Sequence, residues 1–315
     1  MNKDKPEVLI VTPMADEFMA DVERLSAIPI PVVACRNAEE LLDAYCEHRI
    51  LFGNPGIIAP LLDQLRHVEW IQSSWAGVTP LIQSARRDYI LTGVKDVFGP
   101  QMSEFTLGYL LAHELKIAER SRQQAQQAWS PEHSGKLDGK TIGVMGTGSI
   151  GSHIGRTARC FNLRVIGFSR SGKAVDGFDR VFDLTQIDDF LRDCHYLVST
   201  LPQTPETDQL LDEQAIAQLP QGAYFINVGR SNVIDDTALI KALNSGHLAG
   251  AVLDVFDTEP LPPDDPLWTT RNLHVTAHIS AISHPLLIVP IFVENYQRYL
   301  DGLPLTHQID FGAGY

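Results

Sequence analysis

An α/β fold of two doubly wound parallel-sheet domains is predicted by three observations. Short apolar runs alternate with helical periods along most of the chain. One stretch combines strand, glycine turn, helix and second strand, whereas the earlier series has no such turn. The length of 315 residues exceeds one usual domain and suggests two.

The first series opens with the buried run Val8-Leu9-Ile10-Val11. A helix is expected near Ala15 to Ser26, a strand at Ile30 to Ala34, a helix from Ala38 to Cys46 and a strand at Arg49 to Phe52. A helical Ile57 to Leu65 and a strand Trp70-Ile71-Gln72 follow. Such alternation argues a parallel sheet covered on both faces, and the lack of a glycine fingerprint argues that this domain holds something other than a nucleotide. Past its last clear strand lies Ser73-Ser74-Trp75-Ala76-Gly77-Val78-Thr79-Pro80. Ligands in open α/β sheets sit beyond the carboxyl ends of strands, and backbone N–H groups in a small-residue turn can hold a carboxylate. An ordinary strand-to-helix turn, with Trp75 as packing, is the plain alternative.

After Gly99-Pro100 a long helix is expected from Gln101 to about Ala128. Phe105, Leu107, Leu110 and Leu111 lie at helical spacing, while Arg120-Ser121-Arg122-Gln123-Gln124 is polar. The stretch reads as an interdomain connector whose surplus apolar face meets a partner subunit.

The chain then turns on Lys140 to Arg170. The run Thr141-Ile142-Gly143-Val144-Met145 leads into Gly146-Thr147-Gly148-Ser149-Ile150-Gly151, a helical pattern to about Phe161, and Leu163-Arg164-Val165-Ile166-Gly167-Phe168. Gly146 suits a tight turn, Gly148 lets backbone approach a pyrophosphate, and Gly151 lets the helix pack on the strand, with phosphate charge facing the helix N-terminus. A carboxylate for the ribose 2′-hydroxyl of NAD would stand about 20 residues past the glycines. Ser169-Arg170-Ser171-Gly172-Lys173 stands there instead. A guanidinium flanked by hydroxyls is the chemistry of a 2′-phosphate, so NADP(H) is the expected cofactor and NAD(H) the lesser one; for Lys173 a solvated turn is the simpler reading.

The second series continues with strands at Tyr196 to Thr200, Ala223 to Asn227, Ala249 to Leu253 and Leu273 to Ala277, making six in all, and helices near Asp212 to Gln218 and from Asp235 to Asn244. Polar residues follow these strands: Arg230 after Ile226-Asn227-Val228-Gly229, Asp254 and Glu259 after Val252-Leu253, and His278 after Val275-Thr276-Ala277. Each alone could be a surface or structural residue; together, on the edge where a dinucleotide lies, they form a candidate catalytic set. His274 and His278 are four apart, but in a β-patterned stretch that separates the rings by about 13 Å, so a zinc site is rejected.

Composition bounds the function. Apolar residues make up 44% and charged ones 20%, as in a globular protein with ample core. The 39 acidic and 25 basic residues give a net charge of −14, which offers no grip on nucleic acid or an anionic membrane. Neither a signal-peptide core nor a membrane-length apolar stretch is seen. Cys35, Cys46, Cys160 and Cys194 form no C-x-x-C pair, which suits reduced thiols in a cytoplasm.

Gly146 to Gly151, Asn227-Val228-Gly229-Arg230, Leu253-Asp254-Val255-Phe256 with Glu259-Pro260, and Thr276-Ala277-His278 resemble, in order and spacing, the motifs of the D-isomer-specific 2-hydroxyacid dehydrogenase family. Trp75-Ala76-Gly77-Val78 and Gly99-Pro100-Gln101-Met102-Ser103-Glu104 look most like its glyoxylate/hydroxypyruvate reductase A branch. The resemblance runs from about Trp70 to Asp310.

It implies a flavodoxin-like substrate domain of residues 1–100 plus 283–315, a Rossmann cofactor domain of 101–282, and an active site in the cleft between them. By the same resemblance Arg230 would bind the substrate carboxylate, His278 would donate the proton in reduction, and Glu259 would pair with His278 and favour its charged form. Asp254 would hold the nicotinamide carboxamide, Trp75, Ala76 and Gly77 would meet the substrate, and Leu201, Pro202 and Thr207, with Val228 and Gly229, would flank the cofactor. Thr79 stands where many relatives have Asp, and Ser231 follows Arg230 in place of the commoner Gly, which weakens the inference about substrate but not activity. The expected activity is NADPH-dependent reduction of small 2-oxo acids by a homodimer. Some relatives are dinucleotide-sensing corepressors, a second reading that the acidic balance and Arg170 disfavour.

Overall fold

A computed structural model of the chain describes residues 5–312, which divide into two compact units, one up to Val97 together with the chain from Ser283, the other Phe98–Ile282.

The first unit is a five-stranded parallel sheet in the order β2-β1-β3-β4-β5, formed by β1 (Val8–Val11), β2 (Val32–Cys35), β3 (Ile50–Gly53), β4 (Trp70–Ser73) and β5 (Ile90–Thr92). β1, β3 and β4 are apolar enough to be buried along their whole length, as strands covered on both faces must be. On one face Phe52 stacks on Phe292 at 4.4 Å and Trp70 on the same ring at 5.6 Å, so the helix Pro285–Leu300 packs on this sheet. Leu9, Leu51, Ile71 and Leu91 build the core of the other face with Leu41, Ile58 and Leu62. The helical stretch expected at Ile57 to Leu65 is a four-residue helix Pro55–Ile58 followed by a 3-10 turn, Ala59–Leu61; Pro60 brings no N–H to continue an α-helix.

The second unit is a seven-stranded parallel sheet in the order β12-β11-β10-β9-β6-β7-β8. Its strands are β6 (Thr141–Met145), β7 (Arg164–Phe168), β8 (Arg180–Phe182), β9 (Tyr196–Ser199), β10 (Ala223–Asn227), β11 (Leu248–Leu253) and β12 (Leu273–Val275). Six strands were expected, and the seventh, β8, is a three-residue strand whose first residue is exposed. From β6 the chain winds to one side through β7 and β8, and from β9 to the other through β12. Strand order therefore reverses between β6 and β9, which opens a crevice at their carboxyl ends.

The single helix expected from Gln101 to Ala128 is two, Gly99–Glu114 and Ile117–Ala125, broken where Lys116 takes a left-handed φ of 51°. Leu107 and Leu110 are buried against the sheet, but no residue of Ile117–Ala125 is buried, and Leu115 and Ile117 are exposed. Glu114 anchors the end of the first helix, accepting from Lys140 Nζ at 2.6 Å and Tyr196 Oη at 2.7 Å.

Candidate active site

At the carboxyl end of β6 the chain makes the glycine turn. Gly146 has φ +94° and donates to Phe168 O at 2.8 Å; a Cβ there would lie 2.6 Å from Thr200 Oγ1. A Cβ on Gly151 would fall 1.8 Å from the Gly146 carbonyl oxygen, so the turn and the helix Ser149–Arg159 close on each other only through glycine. At Gly148, which is exposed, a Cβ would meet nothing within 4 Å, and no side chain caps the helix that starts after it. Thr147, Ser149 and Ile150 are half-buried around it. Exposed backbone beside an uncapped N-terminus of an eleven-residue helix fits a dinucleotide phosphate.

Past β7, Ser169 is half-buried and donates its N–H to Phe182 O at 3.0 Å, while Arg170 and Ser171 are exposed. The Glu206 carboxyl is held below its ordinary value by its own backbone N–H, by Thr204 and by the charge of Arg170. In that turn Leu201 is buried and Pro202 exposed, and the Thr207 hydroxyl is used internally, donating to Pro202 O at 2.8 Å and accepting from Thr204 N at 2.9 Å.

The remaining polar residues stand past three adjacent strands. After β10 the buried Asn227 accepts from Gly229 N at 3.1 Å and donates through Nδ2 to Arg230 O at 2.9 Å, which fixes the Val228-Gly229-Arg230 turn. A Cβ on Gly229 would lie 2.7 Å from Leu201 O, so these two turns are in backbone contact. Arg230 is half-buried, its Nη1 donating to Gly229 O at 2.7 Å. Burial lowers its guanidinium from the ordinary arginine range and the Glu259 carboxylate opposes the shift; the group remains a cation at neutral pH. After β11, Glu259 Oε1 accepts from Phe256 N at 3.0 Å, which leaves Oε2 for His278 Nδ1 at 2.8 Å. The His278 ring is then free to present Nε2. Both side chains are about two-fifths exposed, at 47% for His278 and 37% for Glu259. Asp254 has no exposed surface, and its carboxylate accepts from Thr276 Oγ1, Ile279 N and Ser280 N at 2.6, 2.8 and 2.9 Å.

Arg230, Glu259, His278 and the glycine turn thus share the carboxyl edge of one sheet. Trp75, Ala76 and Gly77 belong to the other unit, past β4. There Ser73 Oγ accepts from Trp75 N at 3.0 Å and donates to Trp75 O at 2.8 Å, while Trp75 and Ala76 are exposed and Gly77 half-buried. A buried net of Gln72, Thr92 and Asn295 lies beneath. Asn227 was not singled out from sequence, although an asparagine closing a strand before a Val-Gly-Arg turn is a signal for side-chain capping of that turn. Among the described residues no three His, Cys, Asp or Glu side chains group as a metal site.

Residues 107–280 match the model of the D-isomer specific 2-hydroxyacid dehydrogenase, NAD binding domain. The crystal structure of a D-isomer specific 2-hydroxyacid dehydrogenase family protein from Aeromonas salmonicida subsp. salmonicida A449 is 38% identical, covers 98% of this chain and 100% of its own, and superposes with a TM-score of 0.93. A D-isomer specific 2-hydroxyacid dehydrogenase from Xanthobacter autotrophicus Py2, in complex with NADPH and MES, is 30% identical over 99% of this chain and 100% of its own, with a TM-score of 0.83. An NADPH-dependent glyoxylate/hydroxypyruvate reductase from Sinorhizobium meliloti, in complex with NADP and sulfate, is 25% identical over 99% of this chain and 100% of its own, with a TM-score of 0.87.

Proposed function

The chain belongs to the D-isomer-specific 2-hydroxyacid dehydrogenases, NAD(P)-dependent oxidoreductases, and from that premise we propose that it is an NADPH-dependent reductase of small 2-oxo acids of the glyoxylate and hydroxypyruvate type. The observation that carries the reading is the 2.8 Å contact of His278 Nδ1 with Glu259, beside the half-buried cation Arg230.

The nicotinamide, when bound, supplies the hydride that reaches the carbonyl carbon. Negative charge then grows on the carbonyl oxygen, and a protonated His278 offers the Nε2 proton to it while Nδ1–H stays on Glu259. The carboxylate of Glu259 fixes the ring plane through its contact with Nδ1. Arg230 pairs with the substrate carboxylate, and its own carbonyl, tied to Asn227, keeps the guanidinium where the turn puts it. In this reading the backbone at Ala76 and Gly77 is a second carboxylate-binding element, and Trp75 restricts the substrate side chain to small groups.

Gly146 to Gly151 would hold the pyrophosphate, and Asp254, Leu201, Pro202, Thr207, Val228 and Gly229 would line the remaining dinucleotide contacts. Ser169, Arg170 and Ser171 would take the 2′-phosphate, a reading supported by the NADPH and NADP bound to the relatives from Xanthobacter and Sinorhizobium. The enzyme is a homodimer in this reading, which the exposure of the large apolar residues Leu115, Ile117 and Trp129 supports. Four free cysteines suit a reducing cytoplasm.

The test is oxidation of NADPH and of NADH with glyoxylate, hydroxypyruvate, pyruvate and phenylpyruvate. NADPH with glyoxylate or hydroxypyruvate should give the highest kcat/KM. A clear preference for phenylpyruvate would overturn the small-substrate assignment, and dinucleotide binding without turnover of any 2-oxo acid would favour a sensing role.

A further inference from the structure

Gln72, next to the last residue of β4, is a polar side chain with no exposed surface. Its neighbour Ile71 meets the same burial with a hydrocarbon, at none of the desolvation cost that an amide carries. Every bonding position of the amide is used. Nε2 donates to Ser73 O at 3.0 Å and to Gly93 O at 2.9 Å, while Oε1 accepts from Thr92 Oγ1 at 2.8 Å and from Asn295 Nδ2 at 3.1 Å. Thr92 Oγ1 accepts in turn from Trp70 Nε1 at 2.8 Å. These partners fix the orientation, because a flipped amide would set Oε1 against two carbonyl oxygens. Asn295, also without exposed surface, is held from the C-terminal segment: its Oδ1 accepts from Thr306 N and Thr306 Oγ1 at 2.7 and 2.9 Å, and its Nδ2 donates to Thr306 O at 3.1 Å. That segment is fastened to β5, with Gly93 N donating to His307 O at 2.9 Å and Ile309 N to Leu91 O at 2.8 Å.

The chain of bonds ends at the Trp75 turn. Ser73 O receives the Gln72 amide, and Ser73 Oγ accepts from Trp75 N at 3.0 Å and donates to Trp75 O at 2.8 Å. Apolar packing holds little of this turn, since Trp75 is 41% exposed, Ala76 is exposed and the next buried apolar side chain is Val78. We infer that Gln72 is a positioning residue for the substrate: through Ser73 it sets the backbone of Trp75, Ala76 and Gly77, and Asn295 in turn sets the amide of Gln72. The catalytic consequence rests on the proposed role of that backbone in binding the substrate carboxylate, but the structural content does not.

Two variants separate this from simple support of the fold. Gln72→Met keeps the length of the side chain and removes its donors and acceptor; Thr92→Val, a smaller change, removes only the hydroxyl that meets Oε1. A turn that has lost its setting binds the carboxylate less well in ground and transition states alike, so the loss appears in KM. The KM for glyoxylate should rise about tenfold in Gln72→Met and several-fold in Thr92→Val, with kcat within about twofold of wild type and the NADPH Kd unchanged. Ser73→Ala cuts the clip onto Trp75 and should raise KM by a similar factor. Adding Gln72→Met to it should then cost less than about twofold more, because the link from Ser73 to Trp75 is already gone. The ligand-free protein labelled with fluorotryptophan gives an independent readout: the fluorine NMR signal of Trp75, assigned by its loss in Trp75→Phe, should move in Gln72→Met and in Thr92→Val while those of Trp129 and Trp268 stay in place. That signal reports on the turn whether or not the protein reduces a 2-oxo acid. A Trp75 signal unmoved in both variants overturns the inference, as does a loss of kcat or NADPH affinity that matches the rise in KM. A moved signal with an unchanged KM overturns the substrate role of the turn and not its positioning by Gln72.

Discussion

On the proposed reading Arg170 selects the dinucleotide, because no carboxylate stands at residues 169–171 to receive a ribose 2′-hydroxyl. A charge-assisted contact is worth about 1.5–3 kcal/mol, so Arg170→Ala should raise the KM for NADPH by roughly ten- to a hundredfold and leave NADH nearly untouched. If wild type prefers NADH, the assignment of Ser169-Arg170-Ser171 is wrong. Glu259→Gln takes away the carboxylate that meets His278 Nδ1, so the ring loses the partner that orients it and kcat of reduction should fall by about ten- to a hundredfold. A kcat unchanged from wild type contradicts that pairing. At this scale the sequence is informative about which polar residues lie past strand ends, since an apolar run giving way to Asn, Asp or Thr marks the edge; β10 and β12 end three residues before Arg230 and His278, and β11 six before Glu259. It is silent about side-chain direction. Nothing in the letters says that Asn227 turns back on Arg230 or that Asp254 faces inward on Thr276, because those contacts depend on the close backbone approach of neighbouring strand ends.

At the scale of elements, Gly151 and Glu114 carry predictions. A methyl group on Gly151 would fall 1.8 Å from the Gly146 carbonyl oxygen, and backbone on both sides would have to move. Gly151→Ala should cost about 1–3 kcal/mol in thermal or denaturant unfolding, with a matching loss of dinucleotide affinity; normal stability would show that the strand and helix do not meet there. Burial alone would push the Glu114 carboxyl up, but hydrogen bonds from Lys140 and Tyr196 outweigh it and hold the group below the ordinary 4.5. A depressed folded value means that this stabilisation is present above the unfolded value and is lost as the pH falls through the lowered one. Glu114→Gln should therefore destabilise by about 1–2 kcal/mol at neutral pH, a figure discounted for the partly exposed Lys140, and the gap to wild type should close as the pH falls below the ordinary carboxylate range when unfolding is followed in urea. Elements were legible in proportion to their apolar length. The five-residue β6 and β10 are continuous buried runs, whereas β5 and β8 have three residues each and an exposed first one, so they leave no run to see. The helix break at Lys116 escaped detection because Ile117–Ala125 keeps helix-forming residues and only the missing buried face announces the end.

For the molecule as a whole, two parallel sheets follow from two series of apolar runs, and the glycine turn after β6 sets the second apart as the dinucleotide-binding one. The return of the chain to the first unit after Ser283 came from the family resemblance and not from the local pattern, and its physical basis is visible only in three dimensions, in Phe292 stacked on Phe52. Trp129 is 96% exposed, with Leu115 at 41% and Ile117 at 48%, so a two-fold homodimer is expected at micromolar concentration. A monomeric mass by light scattering would contradict it. The proposed delivery of a proton by His278 to the carbonyl oxygen of a 2-oxo acid is tested most directly by kcat for NADPH-dependent glyoxylate reduction by His278→Ala, with the dinucleotide Kd determined on the same sample. The predicted result is a kcat lower by about two to four orders of magnitude with Kd unchanged, and near-normal turnover would contradict the account.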